Sequence, residues 1–171
     1  MGLPERHSLN LTLNTAFGVF IGLNFVAALS GALFRPGVWY DGLKKPWWRP
    51  PNWLFGPAWT VLYLTIAVSG WLVWERAGWS TAMVIYLVSL AFNAGWSGVA
   101  FGLKRMDLAF GWIIAFWLTV AATILAFWPI STTAALLLVP YLCWVSFASV
   151  LNFSIWQLNK PNPIRPTVIR P

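Results

Sequence analysis

Five apolar runs, each long enough to cross a bilayer, take up most of this chain: residues 9–34, 53–74, 80–103, 108–128 and 132–157. A helix needs about 20 residues to span the hydrocarbon core, and there every backbone N–H and C=O must be paired within its own segment. The runs are therefore read as five transmembrane helices forming one all-α integral membrane domain over residues 1–171. The connectors after the second, third and fourth runs hold only a few residues, so consecutive helices pack antiparallel and no soluble domain fits between them. Ala27, Ala28 and Ser30 faintly resemble a signal-cleavage site. The first run is nevertheless expected to be retained, because it exceeds the usual signal core of about 7 to 15 residues and stays apolar beyond that point.

Composition agrees with a bilayer as solvent. Charged residues make up 9% of the chain against roughly 25% in soluble domains, and mean hydropathy is +0.69. A net charge of +7 suits nucleic acid in principle. Here the cations avoid the apolar runs and gather in connectors, as topology signals do, so the lipid bilayer is the expected partner and nucleic acid is not. Arg6 and Arg76 fall on one side, and Arg35, Lys44, Lys45, Arg49, Lys104, Arg105, Lys160, Arg165 and Arg170 on the other. That asymmetry predicts an external N-terminus, with the first connector and the C-terminus in the cytoplasm. The tail, residues 158–171, reads as an extended, proline-rich surface segment. Cys143 is the sole cysteine, so no intrachain disulfide forms. No ionisable side chain lies in the membrane interior, which argues against a proton relay, an axial haem ligand or a metal site; His7 is read as solvated.

Amides and hydroxyls do occur in the spans: Asn14, Asn24, Thr60, Asn93, Ser97 and Asn152. Such groups commonly join helices, at about 0.6 to 2 kcal/mol each. Asn93 stands apart because Trp96 and Ser97 follow one turn later on the same face. Ala91, Gly95, Gly98 and Gly102 form one small-residue stripe, which suits either a close neighbour in the same chain or a symmetric homodimer. Gly18 and Gly22 make a shorter pattern, expected to pack within the chain.

The chain carries 14 tryptophans. Those at span ends, among them Trp39, Trp47, Trp48, Trp53, Trp71, Trp74, Trp79, Trp128 and Trp156, fit the aromatic belts of the interface. Trp59, Trp96, Trp117 and Trp144 sit within spans, where a buried indole N–H needs an acceptor. Several such indoles imply a cavity for a large, flat, mostly apolar ligand. The first connector, residues 35–52, crowds Arg35, Lys44, Lys45 and Arg49 among tryptophans and prolines. It is read as a structured lid or surface anchor, with cations suited to a polar or anionic ligand edge.

The stretch from Pro36 to Pro51, PGVWYDGLKKPWWRPP, resembles the signature of the tryptophan-rich sensory protein, or translocator protein, family. Trp53 to Thr60 (WLFGPAWT), Phe92-Asn93 followed by Trp96, and Pro140 to Trp144 (PYLCW) followed by Ala148 and Leu151-Asn152 extend the likeness over nearly the whole chain. The resemblance implies a five-helix bundle, usually a homodimer, binding porphyrins and synthetic isoquinoline- or benzodiazepine-type ligands in a cavity under the first loop. By motif position, Tyr40 and Pro51 would belong to the lid, Trp59 and Asn93 to the pocket wall, and Trp96, Trp144 and Ala148 to the remaining walls. No cofactor is required, and porphyrin is the expected ligand. The implied function is a receptor or carrier for tetrapyrroles such as protoporphyrin IX, tied to tetrapyrrole or stress regulation. Two alternatives stand beside it. One is an enzyme of light-dependent porphyrin degradation with Trp59 and Trp144 as catalytic candidates. The other is a ligand or sterol translocator, which five spans without inverted repeats support weakly. Phe153 stands where sterol-binding members carry Tyr, which weakens the sterol reading and points, with the tryptophan content, to a bacterial cell membrane.

Overall fold

The computed structural model describes the backbone of residues 4–160 and the side chains of residues 15–160. The expectations for Arg6, His7 and Asn14, and for the tail beyond Lys160, lie outside those residues. The elements are α1 (Pro4–Leu33), α2 (Val38–Asp41), α3 (Asn52–Ala77), α4 (Thr81–Ser97) continued by a π-helical turn (Gly98–Gly102), α5 (Met106–Phe127), α6 (Thr132–Leu137) and α7 (Val139–Leu158). Among the described residues, five segments are long and apolar enough to span a membrane: Thr15–Leu33, Asn52–Ala77, Thr81–Gly102, Met106–Phe127 and Thr132–Leu158. The protein is an all-α, five-span integral membrane protein.

Two departures from plain helix have local causes. The fifth span is two helices, because the chain breaks at Leu138 and Pro140 falls in the first turn of α7. Proline has no N–H to give and its fixed φ suits a helix start. The third span ends in a wider turn, where Leu103 N–H donates to the Gly98 carbonyl at 2.9 Å, five residues back. Gly78, at φ +53°, ends α3 in a conformation open to glycine at little cost.

At the end of the bundle away from the first loop, packing is dense. Phe20, Ile66, Tyr86, Val120, Phe127 and Leu138 are buried there. Gly70 lies beneath two rings: a Cβ on it would stand 2.7 Å from Tyr86 and 2.8 Å from Phe20. Asn24 donates to Tyr86 Oη (2.8 Å), joining α1 to α4, and Ser69 Oγ donates to the Ala134 carbonyl (2.7 Å), joining α3 to α6. These two polar groups are interhelical fastenings.

The small-residue stripe of α4 meets rings of its own chain. The Trp112 indole covers Gly95, where a Cβ would stand 2.5 Å from it, while Phe34 covers Gly98 and Gly102. Ala91 is exposed. The expectation that Gly18 and Gly22 pack within the chain is corrected: nothing among the described residues lies within 4 Å of a Cβ at either. The inward face of α1 is the one bearing Phe20, Asn24 and Ala27, and at 100° per residue the two glycines turn away from it.

Candidate functional site

The opposite half of the bundle, under the first loop, is hollow. Two lobes share Gly31, Phe55, Trp59, Trp96, Ser97 and Ala148 and so form one continuous cavity. The outer lobe, about 460 Å³, lies between the end of α1, the loop, the start of α3 and the last turns of α4 and α7. The inner lobe, about 370 Å³, reaches down to Tyr63, Asn93, Phe116 and Trp144. Each is within the range of small-molecule pockets, about 300–1,000 Å³.

Asn93 fixes the wall of the inner lobe. Tyr63 Oη donates to its Oδ1 at 2.8 Å, and its Nδ2 donates to Tyr141 Oη at 2.6 Å. Spans α3, α4 and α7 thus meet at one side chain, which gives both phenols a hydrogen-bond partner. Trp59 lies at a 5.4 Å ring separation from Tyr63 and meets Tyr141 edge-on at 6.3 Å, which sets the plane of its indole. Trp144 contacts Phe55 edge-on at 5.8 Å and Phe147 at 5.7 Å.

The loop forms a fastened lid. Tyr40, on the short helix α2, is buried and stands edge-on to Phe101 at 5.2 Å. Lys45 Nζ lies 4.8 Å from the centre of its ring, and the Arg49 guanidinium stands at 5.7 Å. Burial raises the Tyr40 phenol above its ordinary pKa, against the partial opposition of the Arg49 charge. Trp48 meets Phe147 edge-on at 5.9 Å. A further tie is Asn159, just past α7: its Oδ1 accepts from Lys44 N–H and its Nδ2 donates to the Lys44 carbonyl, both at 2.9 Å. That pairing copies a two-bond strand contact across 115 residues. Trp47 and Trp53 remain exposed, as interface anchors are.

Three residues that line the outer lobe each carry a buried polar atom with no partner among the described residues: Arg49 Nε, Trp96 Nε1 and Asn152 Oδ1. Asn152 is 3% exposed, and its amide nitrogen reaches only the Met106 sulfur, at 3.9 Å. A buried polar atom left unpaired costs about 1–3 kcal/mol. Two donors and an acceptor on residues around one cavity thus remain to be paired, and a ligand with their complements would pair them once the side chains turn toward it. Arg35 and Asp41 complete the charged rim, and Arg49 also donates to Asn52 Oδ1.

Of the residues expected at the site, Tyr40 lines the outer lobe, Trp59, Trp96 and Ala148 line both lobes, and Asn93 and Trp144 line the inner one. Pro51 lines neither; it is exposed and caps the start of α3. Trp117 donates to Ser146 Oγ at 2.7 Å and braces α5 against α7. Sequence reasoning passed over Tyr63, Tyr141, Phe34, Phe101, Met106 and Asn159. The tyrosines had a usable signal, since a phenol in mid-span needs a partner; Asn159 had none.

The cavity, its aromatic walls and its lid can be set beside known proteins. The pattern of the TspO/MBR family matches residues 16–157. The chain is 43% identical to the tryptophan-rich sensory protein of Cereibacter sphaeroides, over 86% of this chain and 93% of the relative. Identity is 41% to the tryptophan-rich protein TspO of Chlorobaculum tepidum, over 81% and 92%. It is 36% to the translocator protein of Homo sapiens, over 93% and 94%. Matches of this extent, on a chain with five membrane-spanning segments, show that it is a multi-pass membrane protein of the TspO/MBR family.

Proposed function

We propose that this protein is a membrane receptor or carrier for flat tetrapyrroles of the protoporphyrin IX type, linked to tetrapyrrole or stress regulation. The observation that carries the reading is the outer lobe: aromatic walls, a cationic rim and three lining residues that each hold an unpaired polar atom. A planar macrocycle would stack on the walls and place its carboxylates at Arg35 and Arg49. The inner lobe is lined by hydroxyls, amides and rings, with no carboxylate, lysine or histidine among its described residues. That favours binding over acid–base turnover.

The proposed setting is a bacterial cell membrane with the loop in the cytoplasm. Among the described residues Arg35, Lys44, Lys45, Arg49, Lys104, Arg105 and Lys160 flank the loop end, against Arg76 at the other. A homodimer through α4 belongs to the same proposal. Val84, Val88 and Ala91 form the outward stripe it would use.

A dark titration with protoporphyrin IX, followed by quenching of tryptophan fluorescence, tests the reading. Saturable binding that weakens about tenfold or more in Trp144→Ala, which loses the stacking surface of a ring, supports it. Absence of saturable binding contradicts it. A new product spectrum after illumination would instead favour the photochemical enzyme.

A further inference from the structure

We infer that planar apolar ligands reach the cavity sideways from the bilayer, through the seam between α3 and α7, with Trp144 as the gate. This rests on the proposed ligand class.

Trp144 lines the inner lobe on one side and, on the other, an open crevice of about 580 Å³ on the outer surface of the bundle. The crevice is walled by Leu54, Pro57, Val61, Pro140, Cys143 and Phe147 and presents almost no polar surface. One indole therefore separates the cavity from the hydrocarbon. The partition is thin for structural reasons. α7 packs extensively on α5 but meets α3 only briefly. Pro57 takes one hydrogen bond out of α3, and Pro140 follows the break at Leu138, so both edges of the seam lie where the backbone is least braced.

The gate is lightly held. The indoles of Trp112 and Trp117 are held by hydrogen bonds at 2.8 and 2.7 Å. No such bond holds Trp144 among the described residues, and its ring meets Phe55 edge-on and Phe147 at a tilt. The lid, by contrast, is tied by Asn159 and by the packing of Tyr40 and Trp48. A flat apolar molecule is already concentrated in the bilayer, where the seam meets it. Entry by the mouth would require it to cross water and a charged rim.

Cys143 is exposed within the crevice and gives a native handle. The full chain is labelled there with pyrene maleimide in detergent and reconstituted in phosphatidylcholine nanodiscs. It is then mixed with vesicles carrying protoporphyrin IX. The expected result is that the label slows association and dissociation together, by about tenfold, with the dissociation constant unchanged. Cys143→Ala, treated identically, should keep the unlabelled rates. Saturable binding with rates indifferent to the label, together with faster exchange in Asn159→Ala, would overturn the seam and leave the proposed function standing. No saturable binding of porphyrin by unlabelled protein would overturn both.

Discussion

Asn93 carries three helices on one amide, so its replacement is informative. Asn93→Leu leaves the hydroxyls of Tyr63 and Tyr141 without their partner. Each unpaired group costs about 1–3 kcal/mol, and the expected outcome is a clearly lowered melting temperature in detergent. An unchanged melting temperature would show that these bonds do not hold the inner lobe together. Gly70→Ala is the steric counterpart: a Cβ within 3 Å of both Tyr86 and Phe20 must displace packed rings. It should destabilise by about 1–3 kcal/mol, readable in the same melt. Gly18→Ala, with open space around it, should be neutral. At this scale the sequence was partly legible. Trp59, Asn93, Trp96 and Trp144 were recognisable because each sets a polar or bulky demand inside an apolar span. Phe34 over Gly102 and Asn159 on Lys44 were not, since neither residue makes an unusual demand until the fold brings its partner close.

Among the elements, the lid is where pH enters. Tyr40 is buried as a neutral phenol whose pKa stands above the ordinary 10.0. A docked lid keeps that proton longer than an undocked one, so its closure is fully supported below pH 10 and weakens as pH rises beyond it. Protection factors over residues 38–49, which are corrected for the intrinsic base catalysis of amide exchange, should fall above pH 10, and Tyr40→Phe should remove that fall. Asn159→Ala takes away two bonds to Lys44 and should speed the same exchange at neutral pH; unaltered protection would mean that the aromatic contacts suffice. The spans themselves were readable to within a few residues, because bilayer thickness and backbone pairing leave one solution for a run of that length. The break at Leu138 follows from Pro140, which has no N–H to continue a helix and sits in the first turn of α7. The π-helical turn at Gly98–Gly102 was not foreseen, since glycines there equally fit a close helix contact.

For the whole molecule, the two ends of the bundle divide the work. One is packed tightly around Tyr86 and Phe127 and supplies rigidity; the other encloses the cavity beneath the fastened loop. The positive charges cluster at the hollow end, which predicts a cytoplasmic loop. Impermeant maleimide on intact cells should label a cysteine introduced at Ala77 but not one at Lys44; the reverse would invert the topology. The central claim is that the unpaired polar atoms of the outer lobe are there for a ligand. It is tested most directly by the double variant Trp96→Phe, Asn152→Leu, compared with the unaltered protein in protoporphyrin IX affinity and in ligand-free melting temperature. Two atoms without partners contribute nothing to the empty fold, so the melting temperature should hold or rise while affinity falls about tenfold or more. Unchanged affinity with a lowered melting temperature would contradict the account and make those atoms structural.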